Sequence, residues 1–223
     1  MTNRKYSKWY MKKYHQYCGV ARALDRVGQR WTLLLVRDLL LGPRRFTDLA
    51  RAHPGLTPNL LSDRLRHLEE EGIVVRDVLP PPAASRVYRL SARGQALEPV
   101  LLALAAWGGE TMTAGPRPEE HVDLRWGLLA LKRQFRGGRQ PGAVAVKSGL
   151  RRFRVDWSVE GEVGVEEGSA SPVGVTITGR PESLASALFG GVSLRRLEGE
   201  GLLEVEGSRS VLSAFVVAFG LSH

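Results

Sequence analysis

The stretch LTPNLLSDRLRHLEEEG, residues 56–72, decides the fold of the first half of the chain. Thr57 belongs to the residue types that cap a helix start, and Pro58 suits the first helical position, where its missing N–H leaves no intrahelical bond unmade. Gly72 supplies a C-terminal stop, because glycine adopts the left-handed conformation that often ends a helix. The sequence therefore predicts a helix that begins at Thr57 and continues to Glu71.

The two faces of this helix differ in polarity. Leucines recur at helical spacing on the face predicted to be buried: Leu61, Leu65 and Leu68. Polar and charged residues occupy the other face: Asn59, Ser62, Asp63 and Arg66. Asn and Arg can hydrogen-bond base edges in a major groove, which admits one α-helix, but they are equally compatible with a solvated surface. Asp63 repels phosphate, and it either pairs with Arg66 or His67 or accepts a hydrogen bond from a cytosine amino group.

The flanking segments complete a winged helix-turn-helix pattern. One long helix is predicted over 20–41 and a short one over 46–52, followed by a turn at His53-Pro-Gly. Two strands, 73–79 and 86–90, follow and are joined by a proline-rich loop, which predicts a hairpin. Ser91 is predicted to cap a last helix that runs through Trp107 and kinks at Pro99.

This layout predicts double-stranded DNA as the partner. Arg44 and Arg45, before the short helix, are placed for phosphates, and the positive end of the Thr57 helix can lie against another phosphate. Arg86 can reach the neighbouring minor groove or the backbone. The predicted DNA-binding residues are Arg44, Arg45, Thr47, Thr57, Pro58, Asn59, Ser62, Arg64, Arg66, Ser85 and Arg86.

Charge supports a nucleic-acid partner for the first half. Residues 1–110 hold 18 lysines and arginines against 10 aspartates and glutamates, a balance of +8, whereas residues 111–223 hold 14 against 13, a balance of +1. A basic half beside a near-neutral half suggests that only the first meets a polyanion. No apolar run is long enough to span a membrane, and the single cysteine fits a reducing cytoplasm, so we expect a cytoplasmic protein without a membrane partner.

Several separated motifs resemble the HxlR-type winged-helix regulators of bacteria. They are CGVARALDRVGQRWTLL (18–34), LLGPRRFTDL (40–49), LTPNLLSDRLRHLEEEG (56–72) and VYRLSARG (87–94). The resemblance implies a homodimer in which the first and last helices of the domain form the interface. It places residues 57–66 on the recognition helix and 80–86 on the wing, so that two helices meet a roughly palindromic site.

Cys18 carries a separate hypothesis. Some proteins of the type it resembles use an amino-terminal cysteine as a redox sensor, and the basic residues near Cys18 in sequence can lower a thiol pKa. Gly19 departs from the proline that commonly follows this cysteine in the family. A buried, inert cysteine in the dimer interface is the alternative.

The second half predicts a sheet with helices. A helix is expected over 121–136, then strands over 143–147, 151–158, 162–166 and 173–178, a helix over 182–189, a strand over 202–206 and a helix over 208–219. The order ITGRPESL (177–184), FGG (189–191) and GLLEVEGS (201–208) resembles the domain of sterol carrier protein type 2. That resemblance implies an apolar tunnel for a lipid-like molecule. The candidate ligand-binding residues are Trp126, Phe135, Phe153, Trp157, Phe189, Phe215 and Phe219.

Aromatic residues at such spacing are also ordinary core, so a domain whose cavity is filled is an open alternative.

The expected fold class is α+β, with a DNA-binding and dimerisation domain over 1–112, a linker over 113–119 and a ligand-binding domain over 120–223. The five histidines are scattered and no metal cluster, phosphate loop or dinucleotide fingerprint occurs, so we expect no enzyme, no metal and no cofactor. We expect a dimeric, sequence-specific regulator modulated by a small hydrophobic ligand; the alternative is a lipid-binding or transfer protein that binds DNA non-specifically.

Overall fold

The computed structural model describes residues 13–80, 84–111, 120–121 and 123–222. The chain is a mixed α+β protein that divides into two compact units. The first unit runs to Leu39 and includes Pro43–Leu97; the second comprises Leu40–Gly42 and the chain from Glu98 onward. The predicted linker, 113–119, lies outside the described residues. Within the described ranges, no helix is long and apolar enough to cross a membrane.

The first unit has the winged helix-turn-helix order of elements. Its elements are α1 (Gly19–Val27), α2 (Thr32–Leu39), α3 (Phe46–Ala52), α4 (Pro58–Glu70), β1 (Val74–Val78), β2 (Arg86–Leu90) and α5 (Ala92–Gln95). β1 and β2 pair antiparallel, with Val74 opposite Leu90 and Val78 opposite Arg86. The predicted short helix, long capped helix and hairpin are therefore present with nearly the predicted bounds.

The single helix predicted over 20–41 is wrong, because the chain forms α1 and α2 with a break between them. Trp31 has a φ of +79°, a left-handed conformation that an α-helix cannot contain. The Trp31 ring lies edge-on to His53 at 5.7 Å between centroids, and a Cβ added to Gly55 would lie 3.3 Å from it. Trp31 thus packs against the turn after α3 at the point where the helix is broken. The periodicity of apolar residues alone does not predict this break.

The kink predicted at Pro99 is also a break between two helices. Ser91 Oγ accepts a hydrogen bond from the Gly94 N–H and caps α5, as predicted, but α5 ends at Gln95. A new helix, α6 (Glu98–Gly109), begins one residue before Pro99. Proline is tolerated in a first turn, where its missing N–H has no intrahelical partner. Contacts group α6 with the second unit, where Lys132 Nζ lies 2.6 Å from Glu98 Oε1.

The second unit is a five-stranded sheet covered by helices. After α6 its elements are α7 (Leu124–Gln134), β3 (Gly142–Ser148), β4 (Arg151–Trp157), β5 (Val163–Glu167), β6 (Val175–Gly179), α8 (Pro181–Leu188), α9 (Leu194–Gly199), β7 (Leu203–Gly207) and α10 (Arg209–Phe219). The strand order is β5-β4-β3-β6-β7, with β3 and β6 parallel and the other neighbours antiparallel. Helix α9, which Ser193 caps through the Arg196 N–H, was not predicted.

The sheet has one apolar face. On β4, Phe153, Val155 and Trp157 are buried, whereas the intervening Arg152, Arg154 and Asp156 are half-buried. Residues of α7, α8, α9 and α10 join the buried strand residues in one hydrophobic cluster, so these helices cover the apolar face. On the other face, Arg154 Nη1 donates to the carbonyl of Pro172, in the connection from β5 to β6, at 2.6 Å.

Candidate nucleic-acid interface

The start of α4 presents its polar face to solvent. Thr57 Oγ1 accepts a hydrogen bond from the Leu60 N–H at 3.4 Å, which satisfies one donor of the first turn. The three leucines of the opposite face are at most 1% exposed: Leu61, Leu65 and Leu68. Thr57, Pro58, Asn59, Ser62 and Arg66 are all exposed. The core therefore fixes α4 along one side and leaves the predicted recognition residues free to meet a partner.

Asp63 and Arg66 form an ion pair on this exposed face. The contact joins Arg66 Nη2 to Asp63 Oδ1, and the two side chains are 62% and 52% exposed respectively. A solvent-exposed pair of this kind contributes about 0–1 kcal/mol. Arg66 can therefore leave Asp63 for a base or a phosphate at little cost, and until then it neutralises the carboxylate.

Arg64 differs from the other predicted contacts of α4. It is half-buried, and its Nε donates to the Arg30 carbonyl at 3.2 Å. Burial lowers the pKa of Arg64, while the charge of Asp63 acts in the opposite direction. The side chain thus fastens α4 to the segment between α1 and α2, a role that its sequence position did not indicate.

Two further contacts join the end of α1 to the last turn of α4 and the residue after it. His67 Nε2 lies 2.9 Å from the Arg26 carbonyl, and Arg26 Nε lies 3.0 Å from Glu71 Oε2. His67 therefore does not pair with Asp63, which was one of the two partners considered for that carboxylate. Together with Arg64, these contacts fix the orientation of the exposed face of α4 relative to α1.

The start of α3 and the base of the wing are held together. The Arg44 N–H donates to the Tyr88 carbonyl at 2.9 Å, and the Tyr88 N–H donates back at 2.7 Å. Arg45 is exposed, and its Nε donates to Ser85 Oγ at 2.9 Å. The structure thus brings together two predicted contacts that lie 40 residues apart in sequence.

The other predicted residues of this region differ in exposure. Thr47 and Arg86 are exposed, whereas Ser85 and Arg44 are half-buried. The tip of the wing, residues 81–83, lies outside the described part of the chain. The described surface therefore carries hydroxyl and guanidinium groups at the first turn of α3, along α4 and at the base of the wing.

A buried polar pair that joins α2 to the end of α3 was missed in the sequence analysis. Asp38 Oδ2 lies 2.8 Å from His53 Nε2, and these side chains are only 2% and 4% exposed. Arg37 Nη2 lies 2.9 Å from Asp38 Oδ1. The pair joins α2 to the turn that leads into Thr57. The signal in the sequence was Asp38 itself, an acidic residue next to the apolar run 33–36 of α2, since carboxylates are rarely buried unless paired.

Cys18 is exposed at the start of α1 in the single chain, and the alternative of a thiol buried in a dimer interface stays a prediction. Backbone N–H groups of Ala21 and Val20 hold the pKa of the Cys18 thiol below its ordinary value, because they stabilise the thiolate. The arrangement favours a reactive thiol, but the redox role stays a prediction.

The predicted ligand-binding aromatics of the second unit fall into two groups. Phe153, Trp157 and Phe215 are at most 2% exposed; the Trp157 and Phe215 rings lie 5.8 Å apart. Phe135 and Phe189, both half-buried, line an open cleft of about 350 Å³, and Phe219, which is only 1% exposed, borders the same cleft from the interior. Trp126 is in neither group; it is half-buried, and the His121 ring lies edge-on to it at 5.5 Å. In the described ranges, no group of three His, Cys, Asp or Glu side chains is arranged to hold a metal ion.

Known proteins match the amino-terminal part of the chain. The family model of HxlR-like helix-turn-helix proteins matches residues 26–115. The HTH-type transcriptional regulator YvaP of Bacillus subtilis is 40% identical over 89 residues, which are 40% of this chain and 82% of YvaP. The regulator YodB of the same organism is 33% identical over 93 residues, 42% of this chain and 83% of YodB. The reduced form of YodB matches as a solved structure at 31% identity, with a TM-score of 0.38, over 45% of this chain and 100% of that chain.

Proposed function

Because the chain belongs to the HxlR-like helix-turn-helix family of transcriptional regulators, we propose that it binds a two-fold-related site on duplex DNA as a homodimer. The observation that carries this proposal is the polarity of α4. Its leucine face is buried, while Asn59, Ser62 and Arg66 are exposed beside a capped helix start. A helix with this polarity enters a major groove without uncovering any of its core.

The contacts divide into those that hold the backbone and those that distinguish bases. Arg45, with Ser85 beside it, and the first turn of α4 are suited to phosphates, because guanidinium groups and helix N-termini both bind anions. Asn59 is suited to adenine and Arg66 to guanine, since each side chain can form two hydrogen bonds to one base edge. Phosphate contacts then set the register in which these two residues meet bases.

Exposed apolar residues on two helices support the dimer. On α1, Val20 is 68% exposed and Leu24 is 38% exposed. On α6, Val100, Leu104 and Trp107 follow one another at helical spacing and are 48%, 45% and 74% exposed. A contiguous apolar helix face is costly in water and suggests an interface. A second copy of the chain covers these faces in our proposal, and its α4 then meets the second half of the DNA site.

We further propose that the second unit takes a small apolar effector. A sheet with helices on one face is compatible with the resemblance to sterol carrier protein type 2, and three of the predicted aromatic residues line a cleft. An effector changes DNA binding only if it favours one arrangement of the two recognition helices over another.

Selection from a pool of random duplexes by the full chain tests the proposal. We expect enrichment of a short motif whose halves are related by two-fold symmetry. A scrambled duplex of the same length is the control for charge-driven binding, which is sequence-independent and falls steeply with salt. Failure to enrich any motif at physiological salt would contradict the proposal and favour a ligand-binding protein whose basic half meets DNA non-specifically.

A further inference from the structure

We propose that the cleft at the carboxyl ends of α7, α8 and α10 binds a small amphipathic monoanion, a compact aromatic or short-chain carboxylate. The inference rests on the proposed function in one respect, since it gives the effector of the second unit a place and a chemical class. Residues at or just after the three helix ends line the cleft, among them Arg133, Phe135, Arg136, Phe189, Phe219 and Gly220.

The size of the cleft favours a compact ligand. Its volume of about 350 Å³ lies near the lower end of the range for small-molecule sites, about 300–1,000 Å³. Phe135 and Phe189, which are half-buried, supply the aromatic surface, whereas Phe219 lies edge-on to Phe135 at 5.3 Å and is only 1% exposed. This limited apolar surface suits one aromatic ring system or a short alkyl chain rather than a larger apolar body.

The interior next to the cleft is occupied by side chains. The Phe219 ring lies 4.9 Å from that of Phe215 and 5.7 Å from that of Trp157, and all three residues are at most 2% exposed. Aromatic rings at these distances are in direct packing contact. A long acyl chain would have to displace this cluster, whereas a compact ligand bound in the open cleft leaves it intact.

Two arginines give the cleft its charge preference. Arg133 and Arg136 are exposed, and the part of the lining that the structure describes contains no carboxylate side chain. The Arg136 N–H donates to the Ala218 carbonyl at 2.7 Å, which ties its backbone to α10. A Cβ added to Gly220 would lie only 2.5 Å from Arg136 Cζ, so the guanidinium rests directly on the glycine backbone. Gly220 therefore seats Arg136 at the cleft.

Helix ends limit the charge of the ligand to about one unit. Each helix C-terminus carries a partial charge of about −0.5, so three of them offset much of the charge of two arginines. The remaining positive charge, roughly half a unit, favours a monoanion over a polyanion, and a guanidinium can bind one carboxylate through two parallel hydrogen bonds. A phosphate or another polyanion would face three negative helix ends and is less well matched.

Calorimetric titration of the full chain with naphthoate tests this inference, with naphthylmethanol as the neutral analogue of the same shape. We expect naphthoate to bind, and both Arg133→Gln and Arg136→Gln to weaken it by about tenfold or more, as for removal of a charge-assisted hydrogen bond. Arg180→Gln, at the other end of α8, is the matched control and should leave binding unchanged. Gly220→Ala retains both charges but displaces Arg136, and it should weaken naphthoate similarly.

Four results would overturn the inference, and the first three come from the titrations with naphthoate and naphthylmethanol. They are equal binding of naphthylmethanol and naphthoate, undiminished binding by the double variant of Arg133 and Arg136, and no heat of binding with the wild-type chain. The fourth is that palmitate binds more tightly than naphthoate and that its affinity is unchanged by substitution of Arg133 and Arg136. That result would place the ligand in an internal tunnel and not in the cleft. A selected DNA motif without naphthoate binding removes this inference alone, whereas naphthoate binding without a motif removes the proposed DNA function alone.

Discussion

Replacing Asp38 by alanine should destabilise the first unit far more than the loss of one small side chain suggests. The Asp38 carboxylate is 2% exposed and lies close to basic side chains, with His53 Nε2 at 2.8 Å and Arg37 Nη2 at 2.9 Å. Removing one member of a buried pair leaves the other desolvated and unpaired, which typically costs about 3–5 kcal/mol. We expect the Asp38→Ala variant to lose that amount from its free energy of unfolding.

Urea unfolding followed by circular dichroism measures this loss. The matched control is Asp77→Ala, because Asp77 Oδ2 also contacts a cation, Arg89 Nε at 2.6 Å, but the two side chains are 46% and 49% exposed. A pair at the surface contributes about 0–1 kcal/mol, so the control should stay close to the wild type. Equal losses in the two variants would refute the reasoning from burial.

The same variant should also weaken DNA binding. His53 follows the last residue of α3 and precedes the turn that leads to the Thr57 cap, so its release from Asp38 loosens the segment before α4. Asp38→Asn keeps an oxygen acceptor at the same place and should restore part of the stability and of the DNA affinity. Full DNA affinity in a destabilised Asp38→Ala protein would show that the pair serves stability alone.

Three other predictions concern DNA, the thiol and the dimer. Neutralising Arg44 and Arg45 should flatten the slope of log affinity against log salt by about 0.9 for each phosphate that is no longer neutralised, and an unchanged slope would place both outside the interface. Because the pKa of the Cys18 thiol is lowered in the folded chain, its thiolate persists to lower pH. The rate of Cys18 alkylation should therefore rise at a lower pH in the folded chain than in the chain unfolded in urea. Curves of rate against pH that coincide, or that lie in the reverse order, would contradict this. The Trp107→Glu variant should sediment as a monomer, whereas Leu150→Glu, a control at another exposed apolar residue, should sediment as the wild type does. A Trp107→Glu variant that remains a dimer would exclude α6 from the interface.

Local chemistry made α4 predictable. Thr57, Pro58 and the leucine spacing act within a few residues of each other, so the sequence specifies the start, the buried face and the end of α4 without tertiary information. The strands of the second unit were predictable for the same reason, since alternation of Phe153, Val155 and Trp157 with charged residues is set by the pleat.

Breaks that depend on tertiary packing were not predictable. Apolar residues continue at helical spacing through Trp31, so the pattern does not indicate that its backbone turns left-handed to pack against His53. The hydrogen bond from Arg64 to the Arg30 carbonyl was equally unpredictable. The sequence pattern of an arginine on a helix surface is the same whether its partner is DNA or a backbone oxygen. Spacing likewise cannot tell Phe215, which is packed in the core, from Phe189, which lines the cleft.

The most direct test of the central claim compares duplex selection by the wild type and by Asn59→Ala. The claim is that the exposed face of α4 distinguishes bases, so the variant should lose preference at particular positions of each half-site, at a cost of about 1–3 kcal/mol, and keep it elsewhere. Gln95→Ala, exposed on α5, is the control and should select the wild-type motif. A motif that is identical for the wild type and Asn59→Ala would contradict the claim at Asn59, and a uniform loss on all sequences would reassign Asn59 to the DNA backbone.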